Sequence, residues 1–247
     1  MTKRHKPQLA FFVILFVFIL TGTALAAPSV LEYEGATIIW KIGETRVWRF
    51  PMTYAAEVTM MSDSFNRLYD GGFSLMDLNV EKVDGLWSLR VKDKAFFAAR
   101  PEHAVGVKLN TRVMALQWMS KIYEAAGEMH AQELTPEYKL RGGFDVASSV
   151  SWYGGKLIGK KFANGEKFTE SHLTAAAKDL PFGTLVKITT PATGRSVVVR
   201  ITDRFREHKN RVLDISNAAA DLLGIKGIGV AKAQIKVIGR VGLIGGK

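Results

Sequence analysis

The last hundred residues constrain the fold most. From residue 146 onward the chain is a series of short β-type runs broken by turn signals, with room for one short helix. Leu185–Thr190 and Ser196–Thr202 (SVVVRIT) flank Pro191-Ala192-Thr193-Gly194, the pattern of a β-hairpin. Ser216 stands as a cap before a helix of Asn217–Leu223, and Gly224 ends it. Ala231–Ile238 (AKAQIKVI) alternates again as a last strand. Many short strands with little helix predict a small barrel closed on itself, which leaves no strand edge open.

Upstream, residues 27–132 read as a small α+β unit. Ala36–Lys41 and Arg46–Pro51 are strand-like runs joined at Ile42-Gly43-Glu44. Between Thr53 and Tyr69, the residues Ala55, Val58, Met61, Phe65, Leu68 and Tyr69 fall near helical spacing, and Asp70-Gly71-Gly72 closes the helix. Leu78–Val83 and Leu86–Val91 form a second hairpin across Asp84-Gly85. Val107 to Ala126 reads as a long helix stopped by Gly127. The methionines and tryptophans of this unit (Met60, Met61, Met76, Met114, Met119, Trp87 and Trp118) mostly fit apolar faces and are assigned to a core rather than a groove. His103 and His130 stand apart from other ligand-type residues and read as surface histidines. The polar stretch of residues 133–144, with Pro136 and Gly142-Gly143, is the expected linker. Residues 145–239 are then the barrel, and 240–247 a tail.

Residues 1–26 have the layout of a secretory signal peptide. Lys3, Arg4 and Lys6 precede the apolar run Leu9–Leu20, and Ala24-Leu25-Ala26 offers small residues for cleavage after Ala26. The run is shorter than the roughly 20 residues a spanning helix needs. Membrane association is expected only through an uncleaved signal. The formal net charge of +11 divides unevenly: +3 in residues 1–26, −2 in 27–145 and +10 in 146–247. Only the barrel therefore faces an acidic partner, and an exported chain is not expected to meet nucleic acid. The sequence contains no cysteine, which excludes disulfides, thiolate metal sites and a cysteine-linked lipid anchor. No cofactor or metal is expected. The sequence leaves the oligomeric state open.

Six ordered motifs lie in the barrel segment: Ser151-Trp152-Tyr153-Gly154, Ala163-Asn164-Gly165-Glu166, Leu173-Thr174-Ala175-Ala176, Leu180-Pro181-Phe182-Gly183-Thr184, Ser196 to Arg204 (SVVVRITDR), and Asp214-Ile215-Ser216 with Ala218-Ala219-Ala220. Residues 146–239 closely resemble the double-psi β-barrel domain of the rare lipoprotein A (RlpA-like) septal lytic transglycosylases. The resemblance implies six strands and a groove for peptidoglycan glycan strands, in the periplasm or cell envelope. It places the main catalytic carboxylate at Asp203 and a second functional acid at Glu166, 37 residues apart. The family's histidine in T-A-A-H falls on Ala177. The asparagine before the family's aspartate is Thr202, and the Gly-Pro after its D-R pair is Phe205-Arg206.

Lytic cleavage uses the substrate's own 6-hydroxyl, so a single carboxyl that first donates and then accepts a proton suffices. The implied reaction splits bonds between N-acetylmuramic acid and N-acetylglucosamine and leaves a 1,6-anhydro end. Tyr153, Asn164, Gly165 and Arg204 are candidate substrate-binding residues. Asp214, just before the helix cap, is expected to be structural. Asp203 has an alternative as a salt-bridge partner of Arg200, Arg204, Arg206 or Arg211, and Glu166 as a turn residue. His172 and His208 are possible replacements for the missing histidine. The alternative function is a catalytically weak or inactive wall-binding or wall-loosening module.

Overall fold

The structure, a computed structural model, describes residues 28–244 except 107, 130, 132–133, 141–142, 206–210 and 242. The expected signal segment, His130, Arg206 and His208 lie outside the described residues. Among the described residues, no helix is long and apolar enough to cross a membrane.

The N-terminal part is two antiparallel three-stranded sheets, each followed by a helix. β1 (Ser29–Glu34), β2 (Thr37–Ile42) and β3 (Thr45–Pro51) form the first sheet in chain order. α1 (Ala55–Gly71) follows and stops where Gly72 adopts φ +69°, a backbone that favours glycine. A two-residue strand, β4 (Phe73–Ser74), leads into β5 (Leu78–Val83), β6 (Leu86–Val91) and β7 (Lys94–Ala98), which form the second sheet. Asp84 and Gly85 both have positive φ, as a two-residue turn with the twist of its strands requires. α2 (Thr111–Met129) ends this part.

α2 passes straight through Gly127, where the sequence predicts a stop. A side chain here would collide with the barrel, because a Cβ would sit 2.8 Å from the Ile238 side chain. The glycine is thus a contact residue rather than a helix end. His103 is a second correction: it is fully buried, at 0% exposure, not a surface group. Its ring stacks on Phe97 at 5.2 Å and meets Phe50 and Tyr54 edge-on. Burial pushes its imidazole below the usual histidine value, despite Glu57 Oε2 at 3.5 Å from Nε2. Met61, Met114, Met119 and Trp118 are core residues, whereas Met60 and Met76 are exposed.

The remaining strands are β8 (Asp145–Tyr153), β9 (Thr174–Ala177), β10 (Thr184–Thr189), β11 (Ser196–Asp203), β12 (Arg211–Ser216) and β13 (Ala231–Arg240). They close into a barrel in the order β10-β11-β9-β12-β8-β13. The β9–β11 and β8–β12 pairs are parallel and the others antiparallel. α3 (Asn217–Leu223) is capped by Ser216, whose Oγ accepts from the N–H of Ala219, and ends at Gly224 in the left-handed region. Val186, Ile188, Val199, Ile201, Leu213 and Ile235 are among the buried residues at its core.

β11 does not alternate: Val197 to Thr202 are all buried. The reason is that two helices lie against it: α2, which also packs on β10 and β13, and α3. The N–H of Val198 donates to Ser120 Oγ at 2.8 Å, and Lys187 Nζ meets Glu124 Oε1 at 2.5 Å. The last strand runs to Arg240. Beyond it a short β14 (Leu243–Ile244) pairs with β4, so part of the expected tail is paired with the N-terminal part.

The closest backbone approach is at Gly239, where a Cβ would lie 2.7 Å from both Cα and O of Gly127. Backbone cannot move aside as a side chain can. Gly239→Ala is therefore expected to destabilise the protein by about 1–3 kcal/mol. Gly127→Ala would crowd the Ile238 side chain at 2.8 Å, with backbone no nearer than the Ile238 O at 3.4 Å, and gains helix propensity, so its denaturation midpoint should shift less. Urea denaturation of both variants checks this.

Candidate functional site

The site is built on the loop between β8 and β9 and on the end of β11. Asn164-Gly165 makes the loop's turn. Gly165 has φ +92°, its N–H donates to Phe162 O at 2.9 Å, and the N–H of Phe162 donates to Glu166 O at 2.7 Å. Asn164 Oδ1 accepts from the Glu166 N–H at 3.1 Å, and its own N–H donates to Thr202 O at 3.2 Å, which docks the turn on β11. Phe162 and Phe168 are buried and face the ring of Tyr153 at 6.1 and 5.2 Å. These apolar anchors fix the loop from below.

The turn delivers Glu166 to Arg200. Arg200 Nη1 and Nη2 donate to Glu166 Oε1 and Oε2 at 2.6 and 2.7 Å, and Asn164 Nδ2 donates to Oε1 at 2.6 Å. Both oxygens are occupied. Burial works against the charge on Glu166, but the Arg200 fork and Asn164 hold its carboxyl below the usual carboxylate range. Arg200 is only 3% exposed. Burial opposes the Arg200 charge, and Glu166 and Tyr123 restore it. His172 lies on the same side. Burial, with Arg200 adding to it, pushes its imidazole down to about 4, so it is neutral at pH 7.

Asp203 ends β11, just after a register shift between Ile201 and Asp203. It is half-buried, and its Oδ1 accepts from the N–H groups of Ala163 at 2.9 Å and Arg204 at 2.8 Å. Among the described residues, no cation pairs with it. Arg200 is taken by Glu166. The Arg204 guanidinium lies 3.9 Å over the Phe182 ring, with Nη1 donating to Leu180 O at 2.8 Å. The Arg211 guanidinium lies over Phe205. One turn therefore contacts both acids: Ala163 orients Asp203, and Glu166 enters the arginine fork.

The other candidates occupy defined places. The Tyr153 hydroxyl shares a 2.8 Å hydrogen bond with Thr174 Oγ1, and burial pushes that hydroxyl up. Asp214 accepts from Ser151 Oγ at 2.6 Å, between β8 and β12. Ala177 is buried and lines a cleft of about 40 Å³ with Lys139, Leu140, Leu180 and Val212.

Residues 145–235 match a family model described as lytic transglycolase. The endolytic peptidoglycan transglycosylase RlpA of Rickettsia typhi is 38% identical over 123 residues, 49% of this chain and 37% of its own length. That of Neisseria meningitidis serogroup A is 37% identical over 119 residues, 48% of each chain. A probable endolytic peptidoglycan transglycosylase RlpA of Nostoc is 45% identical over 101 residues, 41% of this chain and 27% of its own length. The barrel is an RlpA-like double-psi β-barrel. The chain spans half or less of the length of these relatives.

Within the RlpA-like barrel, Arg200 is the residue that sequence reasoning missed as the partner of Glu166. Arg200 carried a signal, since an arginine inside the apolar run SVVVRIT must be paired if it is buried.

The pairing has a pH signature. A carboxyl held below its ordinary value near 4.5 stabilises the fold above that pH and loses the contribution as pH falls through the folded value. Glu166→Gln is expected to cost about 2 kcal/mol at pH 7. Its stability gap to the wild type should close on acidification below pH 4.5. Chemical denaturation from pH 7 to pH 3 checks both statements.

Proposed function

We propose that this protein is an exported peptidoglycan lytic transglycosylase with Asp203 as its general acid and base. The observation that carries this reading is the placement of Asp203. Its half-buried carboxyl is oriented by two backbone N–H groups and pairs with no cation among the described residues. The relatives' names supply the substrate class.

The chemistry needs one carboxyl. Asp203 gives its proton to the glycosidic oxygen between N-acetylmuramic acid and N-acetylglucosamine as the bond from C1 to that oxygen breaks. The 6-hydroxyl of the muramic residue bonds to C1 and returns its proton to Asp203. No water is consumed, and the new end is a 1,6-anhydro ring. Glu166 assists as an anion fixed by Arg200 rather than as a proton donor, since both its oxygens are occupied. Arg204 is exposed beside Asp203 and suits the lactyl and stem-peptide carboxylates of peptidoglycan. Asn164 and Gly165 shape the turn that presents both acids. Tyr153 acts from beneath, through Thr174 and the Phe162–Phe168 pair, and Asp214 braces β8 against β12.

A second reading, a wall-binding module without catalysis, is favoured by Ala177, where the family carries histidine and this chain has no proton-bearing side chain.

Digestion of purified sacculi separates the two. Residues 27–247 should release fragments with 1,6-anhydro ends by mass spectrometry, and Asp203→Asn should lower release by at least the 10²-fold typical of a lost proton-transfer group. Binding of sacculi with no anhydro product from the wild type would leave the binding module as the function.

A further inference from the structure

We infer that Phe182 is a positioning residue of the site: its ring holds the Arg204 guanidinium away from Asp203, which leaves the acid without a cation beside it. The role in catalysis rests on the lytic reading, but the geometry does not.

Phe182 belongs to the motif Leu180–Thr184, which the reaction as described leaves unused. The motif is a tight turn. The Thr184 N–H donates to Pro181 O at 3.2 Å, and Gly183 has φ +85°, the turn position that favours glycine. Two backbone bonds dock the turn. The Gly183 N–H donates to Ile201 O of β11 at 2.8 Å, and the Val241 N–H donates to Gly183 O at 2.7 Å. Phe182 is thus fixed near the end of β11 with 42% of its surface exposed. Burial does not account for an aromatic ring there. Arg204 does: its guanidinium lies 3.9 Å over the ring, and Nη1 donates to Leu180 O at 2.8 Å and Ala177 O at 3.4 Å.

Arg204 follows Asp203 directly and lies past the end of β11, where no strand pleat sets its direction. An arginine free to turn there reaches the neighbouring carboxyl. A guanidinium within about 4–6 Å of an aspartate favours the ionised form. A carboxylate held that way has no proton for the glycosidic oxygen. The stack on Phe182 sends the guanidinium to two carbonyls instead, and only the backbone N–H of Arg204 meets Asp203. The other charged or titratable groups around Asp203, among the described residues, have partners of their own. Arg200 and Glu166 grip each other, and Tyr153 shares its hydroxyl with Thr174. Asp214 accepts from Ser151, and Lys178 and Asp179, between β9 and β10, lie 3.9 Å apart.

The test compares the full chain with Phe182→Leu, which keeps an apolar side chain but no ring face. Anhydro-end release from soluble glycan strands is followed against pH. Side-chain carboxyl carbons of ¹³C-labelled aspartate are titrated by NMR, with the Asp203 resonance identified by its loss in Asp203→Asn. The alkaline limb of the kcat/KM profile reports the free enzyme's acid. With the thermal midpoint little changed, Phe182→Leu should move that limb down by about one to three pH units, a roughly tenfold loss of rate for each unit above it. The Asp203 carboxyl midpoint should fall with it. Phe182→Trp, which keeps a ring face for the guanidinium, should leave both in place. In an Arg204→Gln background, Phe182→Leu should move neither. An unmoved Asp203 midpoint in a folded Phe182→Leu protein overturns the inference, as does an equal shift in the absence of Arg204. If the wild type releases no anhydro ends, the lytic reading falls, and the carboxyl titration alone decides the positioning role. If Phe182→Leu does not fold, Arg204→Lys, which keeps the charge but loses the planar group over the ring, should move the same midpoint in the same direction; an unmoved midpoint there overturns the inference.

Discussion

Everything in this molecule hangs on helix α2 being buried on both sides. One face carries Met114 and Trp118 into the aromatic cluster of Trp48, Phe50 and Phe97, with ring centroids 4.7 to 5.9 Å from Trp118. The other carries Ser120, Tyr123, Glu124 and Gly127 onto the barrel. A helix with apolar residues around most of its circumference has to be enclosed. Here the first enclosure is two small sheets and the second is the outer wall of a barrel. The buried side chains of the two parts form one continuous core. The consequence reaches the barrel strands. β11, which in a free-standing barrel would show polar residues outward, is buried on both faces, and that burial is what forces Arg200 to be paired.

The Arg200–Glu166 pair follows from this enclosure. Two charges taken out of water lose several kcal/mol of hydration each, and only good geometry recovers it. The bidentate fork and the Asn164 amide provide that geometry. Such a pair specifies arrangement more than it adds stability, because any other position of the Glu166 loop would leave a buried arginine uncompensated. Asp203 stands in contrast. Three residues further along the same strand, it has only N–H donors, both on one oxygen. The two acids that look equivalent as motif members have opposite environments: one is fixed as an ion by a bidentate arginine, and the other is held by backbone N–H groups.

The barrel was legible in the sequence because its signals are local. The hairpin of β10 and β11, the Ser216 cap and the Gly224 stop depend on neighbours a few residues away, and Asp203 and Glu166 lie in contiguous motifs. What stayed hidden depends on distant partners. Gly127 reads as a helix stop in any local window, and only Gly239, 112 residues on, explains why the helix continues through it. His103 sits beside Pro101 and Glu102 with no apolar run to signal burial, yet the fold closes Phe50, Tyr54 and Phe97 around it. The short β9, Thr174–Ala177, carries almost no propensity signal, since three alanines favour helix. Its pairing with β11 and β12 overrides that preference.

The position of the family histidine can now be weighed in physical terms. Ala177 closes β9 against a cleft of about 40 Å³ whose far wall is Lys139 and Leu140, residues of the segment that joins the N-terminal part to the barrel. What remains is a carboxyl whose orientation comes from backbone N–H groups. A reaction that transfers one proton out and one back asks for one well-placed acid and an excluded solvent, and it tolerates this loss better than hydrolysis, which must also activate water from the opposite face.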